Sequence, residues 1–298
     1  MIEIRDLTKT FGKKKVLDKL NCNIKTGSIY GLIGANGAGK STLLRIVNDI
    51  FRKDEGKILI DGKEVEENQE LKQRLVFVPD DLYFFSGYTL KDMAKFYKAM
   101  YKKFDMEYLE KLAKILKLNM NEKLQNFSKG MKRQCSLICA IATNADYMFF
   151  DETFDGLDPV VRNLMKKIIA KQMEAKETTI IMTSHNLREL EDICDNLGLL
   201  YKGGILFESE VDELKTNIFK VQISLKEEFT KEDFEKLNIL SFKKTGSVAT
   251  MIVKGEKEEY EEYLKNKNPL ILDFLTLTLE EIFVYEMEVL GYEFNEVI

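Results

Sequence analysis

The chain has 298 residues, 45% hydrophobic and 32% charged, enough for one domain of about 200 residues and a smaller appendage. Its net charge of −5 disfavours a role on DNA or RNA, which a basic surface usually marks. No run approaches the ~18 consecutive apolar residues of a membrane helix, and the opening MIEIRDLTKTF alternates like a strand instead of presenting a signal peptide's apolar core. We therefore expect a cytoplasmic protein whose membrane role requires a separate partner.

Residues 2–8 and 16–24 alternate apolar and polar, as strands with one wet face do. Residues 28–34 (SIYGLIG) form a short apolar strand that runs into a glycine-rich turn, and STLLRIVNDI beyond it has helical spacing. GKILIDGKEV (56–65) reads as strand and turn, and LVFVPDD (75–81) as an apolar strand stopped at Pro79. From about Tyr88 to Thr143 the spacing becomes helical. Strands return at 146–151 and 178–184, with a helix over 159–176 between them, a helix over 186–195 after them, and two short strands near 197–209. This alternation predicts a mostly parallel sheet with helices on both faces. Near Thr216 the character changes to short strands (FKVQISLK, VATMIVKG, LILDFLTLT) and acidic helices. The last helix, LEEIFVYEMEVLGY, places Leu279, Ile282, Phe283 and Leu290 on one side, the face expected to pack within this region. Cys22, Cys135, Cys139 and Cys194 form no CxxC pair, and the one histidine lies apart, so reduced, buried thiols are expected.

The chemistry concentrates at the ends of apolar strands. Gly34, Ala35, Asn36, Gly37, Ala38, Gly39, Lys40, Ser41 and Thr42 match G-x-x-x-x-G-K-[ST] between a strand and a helix. Glycines let backbone N–H groups turn inward around phosphate oxygens, and the following helix points its positive end at the same charge. Lys40 adds a cation for the β- and γ-phosphates, and Ser41 a hydroxyl for Mg²⁺. The strand YMFF ends in Asp151 and Glu152. Two carboxylates there are costly unless they meet a cation and water. We assign Asp151 to Mg²⁺ and Glu152 to the attacking water as general base. His185, the only histidine, leaves strand TIIMTS at the edge where open α/β sheets bind ligands. A lone histidine is more often structural. This position instead favours a hydrogen bond to the γ-phosphate or to the water of Glu152.

The P-loop at 34–42, FSKGM at 127–131, FFDE at 149–152, GLDP at 156–159 and TSH at 183–185 stand in the order found in ABC ATPases, and residues 1 to about 215 resemble that family. The resemblance implies an α/β P-loop NTPase: a RecA-like core with an antiparallel β-subdomain and an inserted helical subdomain (about 82–143). That cassette spans 1–216, and residues 217–298 make a small C-terminal α+β region. The resemblance also implies ATP and Mg²⁺ as ligands and a head-to-tail dimer with two ATP molecules between P-loop and signature. Phe11 looks like the aromatic that stacks on adenine. Ser128 and Gly130 would reach the γ-phosphate held by the second copy, and Asp158 looks like the aspartate linking the two sites.

Two positions depart from the family pattern. FSKGM replaces the usual LSGGQ: Ser128 and Gly130 remain, Lys129 adds a positive charge and Met131 removes an amide, a variant familiar among ABC-2 exporters. Asp80 follows Pro79 where the family usually carries a glutamine that binds Mg²⁺ and meets the membrane partner. Aspartate is a harder, charged oxygen ligand, so a Mg²⁺-sensing role is expected for it. The aromatic-rich stretch 82–101 is where the family receives its membrane partner. The tail from Pro269 is similar to those of bacterial drug- and peptide-export subunits. The leading expectation is an ATP-hydrolysing subunit that dimerises and drives a separate membrane permease, with no nucleic acid. The alternative is a soluble ABC-type mechanical ATPase. It is disfavoured by the absence of a long coiled coil between P-loop and signature and by the presence of one cassette instead of two.

Overall fold

The computed structural model describes residues 1–289. The chain divides into two compact units, Met1–Glu208 and the remainder from Ser209, ahead of the change in sequence character near Thr216.

The first unit opens with β1 (Ile2–Phe11), β2 (Lys14–Ile24), β3 (Ile29–Ile33), α1 (Lys40–Val47), β4 (Glu55–Ile60) and β5 (Lys63–Glu64). It continues through α2 (Gln69–Lys72), β6 (Leu75–Val78), α3 (Leu90–Met100), α4 (Met106–Ile115), α5 (Lys129–Ala142) and β7 (Tyr147–Asp151). Then follow α6 (Pro159–Ala175), β8 (Thr179–Ser184), α7 (Leu187–Leu190), β9 (Asn196–Tyr201) and β10 (Gly204–Glu210). One sheet has the order β2-β1-β4-β5 and is antiparallel; the other runs β10-β9-β3-β8-β7-β6, and its strands from β9 to β6 are parallel. Parallel strands are covered on both faces, which is why β3 and the YMFF of β7 read as apolar runs, and why β3, β7 and β8 are buried at every position. Leu43, Leu44, Ile46 and Val47 of α1 share one core with Ile4 and Leu17 of the first sheet and Phe149 and Ile181 of the second.

The helices α3 to α5 each begin at a side-chain cap. Thr89 and Asp92 make a reciprocal capping box, Asp105 accepts from the Tyr108 N–H, and Ser128 from the Met131 N–H. From Gln134 to Ala142, α5 is buried throughout, with Cys135 and Cys139 inside it. All four cysteines are free and buried, as expected, and burial pushes the Cys22 thiol up to about 12.

One expected helix is shorter than its pattern. Residues 186–195 have helical spacing, but only Leu187–Leu190 forms α7. Asp195 ends it: its N–H donates to the Ile29 carbonyl at 2.9 Å and its carboxylate accepts from the Ile29 N–H at 2.7 Å, which commits the chain to β9 beside β3.

The second unit contains α8 (Val211–Asn217), β11 (Ile218–Ser224), β12 (Ile239–Thr245), β13 (Val248–Lys254), α9 (Lys257–Lys265), β14 (Ile271–Leu275) and α10 (Leu279–Val289). Its sheet is antiparallel in the order β12-β13-β11-β14. Phe219, Val221, Ile223, Phe234, Met251, Val253 and Leu264 form its own core. The sequence reading has no strand at β12. Its Lys243 and Lys244 suit an edge strand, where charge blocks further pairing, and they hide the strand pattern. Leu279, Ile282 and Phe283 of α10 are buried together with Met287, whereas Leu290 lies outside the described residues.

Candidate active site

The parallel register lines up the carboxyl ends of four strands. Val78 of β6 pairs with Phe150 of β7, Asp151 of β7 with Thr183 of β8, and Ser184 of β8 with Ile33 of β3. Asp80, Glu152, His185 and the P-loop therefore leave one sheet edge side by side, where open α/β sheets bind ligands.

Two glycines show why the P-loop sequence is constrained. Gly39 lies at φ +114°, a left-handed conformation open to glycine, and begins α1. A Cβ on Gly34 would lie 2.6 Å from the Leu200 carbonyl oxygen. Ala35 and Ala38 are half-buried, while Asn36 and Gly37 are exposed at the tip. The Lys40 side chain is only 4% exposed. Its ammonium donates to the carbonyls of Gly34 (2.6 Å) and Ala35 (3.3 Å) and pairs with Glu152 Oε1 at 3.2 Å. Ser41 and Thr42 follow in the first turn of α1, half-buried.

Asp151 is completely buried. Its Oδ1 accepts from Ser41 Oγ at 3.0 Å and Thr183 Oγ1 at 2.8 Å, whereas its Oδ2 is buried with no hydrogen-bond partner. Burial raises its carboxyl pKa, against the pull of the two hydroxyls. An open carboxylate oxygen beside a serine hydroxyl is a hard-oxygen donor set, and it fits a divalent cation such as Mg²⁺.

Glu152 adopts φ +48°, rare for a non-glycine residue. Its N–H is held by Thr183 through the carbonyl (3.2 Å) and Oγ1 (3.0 Å). His185 is half exposed, with Nδ1 3.3 Å from Asp155 Oδ2 and 3.8 Å from Glu152 Oε2. One donor atom from each of these three residues lies within 4.8 Å of the others. Burial, and then the hydrogen bond and charge of Glu189, push the Asp155 carboxyl up to about 8. Glu189 is itself 5% exposed, accepts from Ser184 Oγ at 3.0 Å and pairs with Arg162 at 3.1 Å.

The remaining sequence-derived residues lie around this cluster. Phe11 ends β1, is 45% exposed and meets Phe51 edge-on at 5.8 Å. Ser128 is exposed at the start of α5, and a Cβ on Gly130 would lie 3.6 Å from the Gly156 carbonyl oxygen. Asp158 caps α6, its Oδ1 accepting from the N–H groups of Val160 (3.1 Å) and Val161 (3.0 Å). Asp80 Oδ1 accepts from Arg133 Nη2 at 2.6 Å, and Arg133 Nη1 donates to the Glu152 carbonyl at 3.2 Å. Lys40, Ser41, Asp151, Glu152 and His185 thus come together. Among the described residues, no hydrogen bond or ion pair ties Phe11, Ser128 or Gly130 to them. Sequence reasoning missed Arg133, Asp155 and Glu189. The one signal for Arg133 was its position three residues after Gly130, on the same helix face.

The family model described as ABC transporter matches residues 17–155. The ABC transporter ATP-binding protein YtrB of Bacillus subtilis (strain 168) is 31% identical over 95% of this chain and 97% of its own length. The lantibiotic transport ATP-binding protein SrtF of Streptococcus pyogenes is 31% identical over 71% of this chain and 92% of its own. Among solved structures, the ATP-binding subunit of an ABC transporter aligns with a TM-score of 0.66 at 24% identity, over 72% of this chain and 91% of that one. The ATP-binding cassette MJ0796, in a dimeric post-hydrolysis state with ADP and Pi, aligns with a TM-score of 0.65 at 20% identity, over 71% and 99%. These likenesses carry the P-loop NTPase fold, and near-complete alignment with YtrB carries the rest: the chain belongs to the ABC transporter ATP-binding proteins, and is an ATP-binding, ATP-hydrolysing subunit of that family.

Proposed function

We propose that two copies of this ATPase subunit close head to tail around two Mg²⁺–ATP and drive a separately encoded membrane permease, in the direction of export. The observation that carries the proposal is the meeting of Lys40, Asp151 and Glu152 at one sheet edge, with an unpartnered carboxylate oxygen on Asp151. Ser41 and Asp151 would hold Mg²⁺, with Asp80 as a further ligand. Bound there, the cation would offset charge on the phosphate oxygens. Lys40 binds the β- and γ-phosphates, and the glycine-rich backbone orients them. Glu152 takes the proton of the attacking water. His185, with Nδ1 turned to Asp155 and Glu152, keeps Nε2 for a phosphate oxygen or that water. Phe11 stacks on the adenine. Ser128 and Gly130, exposed or half-exposed at the start of α5, complete the site of the second copy, and Asp158 joins the two sites.

A cluster of aromatics after Asp80 supports permease docking. Tyr83 is 79% exposed, and Phe85 lies 5.8 Å from Tyr83, 4.9 Å from Tyr88 and 5.3 Å from Phe96. No helix among the described residues is long and apolar enough to cross a membrane. The family resemblance, not this absence, is the ground on which we place the permease on a separate chain and this subunit at the cytoplasmic face. Export rests on the likeness of the sequence from Pro269 onward to drug- and peptide-export subunits. We assign residues 1–216 as the cassette and 217–298 as an accessory domain.

The test is the solution mass of the Glu152→Gln protein with and without Mg²⁺–ATP. A doubling that Lys40→Ala or Ser128→Arg abolishes is the expected result. A persistent monomer that still binds ATP would overturn the shared site.

A further inference from the structure

We propose that Arg133 is a positioning residue that ties Asp80 to the main chain of Glu152, so that displacement of either segment is transmitted to the other. The proposal rests on the reading of Glu152 as the general base.

The sheet supplies the geometry. Because Val78 pairs with Phe150 in parallel register, Asp80 and Glu152 lie two residues beyond matched positions on adjacent strands. Arg133 comes from the first turns of α5 and lies against both. It spans the two segments with separate nitrogens, Nη2 to Asp80 Oδ1 at 2.6 Å and Nη1 to the Glu152 carbonyl at 3.2 Å. The guanidinium is planar and rigid, so rotation that keeps one bond moves the other. The bond to Asp80 is charge-assisted, where the family's usual glutamine would offer a neutral oxygen. The Arg133 side chain is 20% exposed, against 49% for Asp80, so the arginine is the fixed member of the pair.

The Glu152 end responds to such a bond. Its φ of +48° persists only because neighbouring groups hold it. Thr183 takes its N–H and Arg133 its carbonyl, so the peptides on both sides are pinned. A Cβ on Gly156 would lie 3.7 Å from Arg133 Nη1, so the turn leading to Asp158 also runs past the guanidinium. Asp80, in turn, heads the stretch that leads through Tyr83 and Phe85 to α3. A pull on that stretch reaches the Glu152 carbonyl through one side chain. Conversely, an Asp80 carboxylate drawn toward a cation must loosen its hold on Arg133.

The test uses hydrogen–deuterium exchange of the full chain without nucleotide or metal, followed by steady-state Mg²⁺–ATP hydrolysis. Asp80→Asn should raise exchange in 152–157, to which Asp80 is tied through Arg133, and this effect should vanish in an Arg133→Gln background. Arg133→Lys reaches one acceptor at a time, so it should loosen 152–157 as much as Arg133→Gln does. Both Arg133 variants should lower kcat about tenfold or more with KM little changed, and should bind ADP in EDTA like the wild type. Exchange confined to the segment carrying each substitution, or additive in the double variant, overturns the proposal. So does linked exchange with wild-type kcat. A wild-type protein that does not hydrolyse Mg²⁺–ATP would count against the general-base reading, while the exchange result still decides the link.

Discussion

Replacing Glu152 with glutamine should tighten ADP binding even with Mg²⁺ chelated and no reaction possible. The Lys40 ammonium, 4% exposed, is shared between two P-loop carbonyls and the Glu152 carboxylate at 3.2 Å. In the site we propose, a bound β-phosphate uses the same ammonium, so Glu152 competes with the ligand. At an effective dielectric of ~20, unit charges at that distance attract by about 5 kcal/mol. Glu152 keeps 19% exposure and recovers hydration when displaced, which leaves ~1–3 kcal/mol for the ligand to overcome. Glutamine removes that competition, so the dissociation constant should fall by roughly 5- to 100-fold. Titration calorimetry with ADP in EDTA measures it, with Glu152→Asp, which keeps the charge, as the comparison. The gain must disappear when Lys40→Ala is combined with Glu152→Gln. An affinity within about twofold of wild type, or a gain that survives the loss of Lys40, would refute the competition argument.

Asp155 keeps its proton up to about pH 8 against an ordinary value of 3.8, so the folded chain holds a proton that the unfolded chain releases. The stability this contributes is full below the unfolded value and is lost as pH rises through the folded one. Asp155→Asn should therefore gain in Tm over wild type between about pH 5 and 8.5, and a constant difference across that range would exclude the carboxyl as the source. Asp61 shows the opposite sign. Burial alone would raise its carboxyl pKa, but hydrogen bonds from the Met1 amine, Tyr147 and Arg74 hold it well below the usual carboxylate range. Asp61→Asn should lower Tm at pH 7 by an amount that shrinks toward pH 2, and thermal melts that stay parallel would contradict this. Phe11→Ala should weaken ADP binding by ~5- to 100-fold through lost base stacking and lower Tm only slightly, since the ring is 45% exposed and its packing is an edge-on contact with Phe51. Unaltered affinity would remove Phe11 from the adenine site.

What the sequence made legible follows from which constraints are local. A phosphate-binding turn needs its glycines, lysine and serine in sequence, and a strand buried on both faces needs an unbroken apolar run before its carboxylates, so β3 with Lys40 and β7 with Asp151 could be read directly. Helix α7 and strand β12 could not. Asp195 stops the helical pattern through a bond to Ile29, 166 residues away in the chain. The lysines of β12 obey the rule for an edge, and only sheet order reveals that it is one. The same division runs through the active site. Arg133 reaches Asp80 across 53 positions, and nothing in the spacing of FSKGMKRQ says that β6 and β7 are neighbours. Asp80 in place of glutamine is a one-residue change in a motif, but its mechanical meaning depends on the cation beside it. An aspartate facing no arginine would have no side-chain link to the Glu152 carbonyl. One fixed by Arg133 is also tied to the carbonyl of Glu152, so the departure at position 80 carries a consequence for the residue we propose as general base that its own position does not encode.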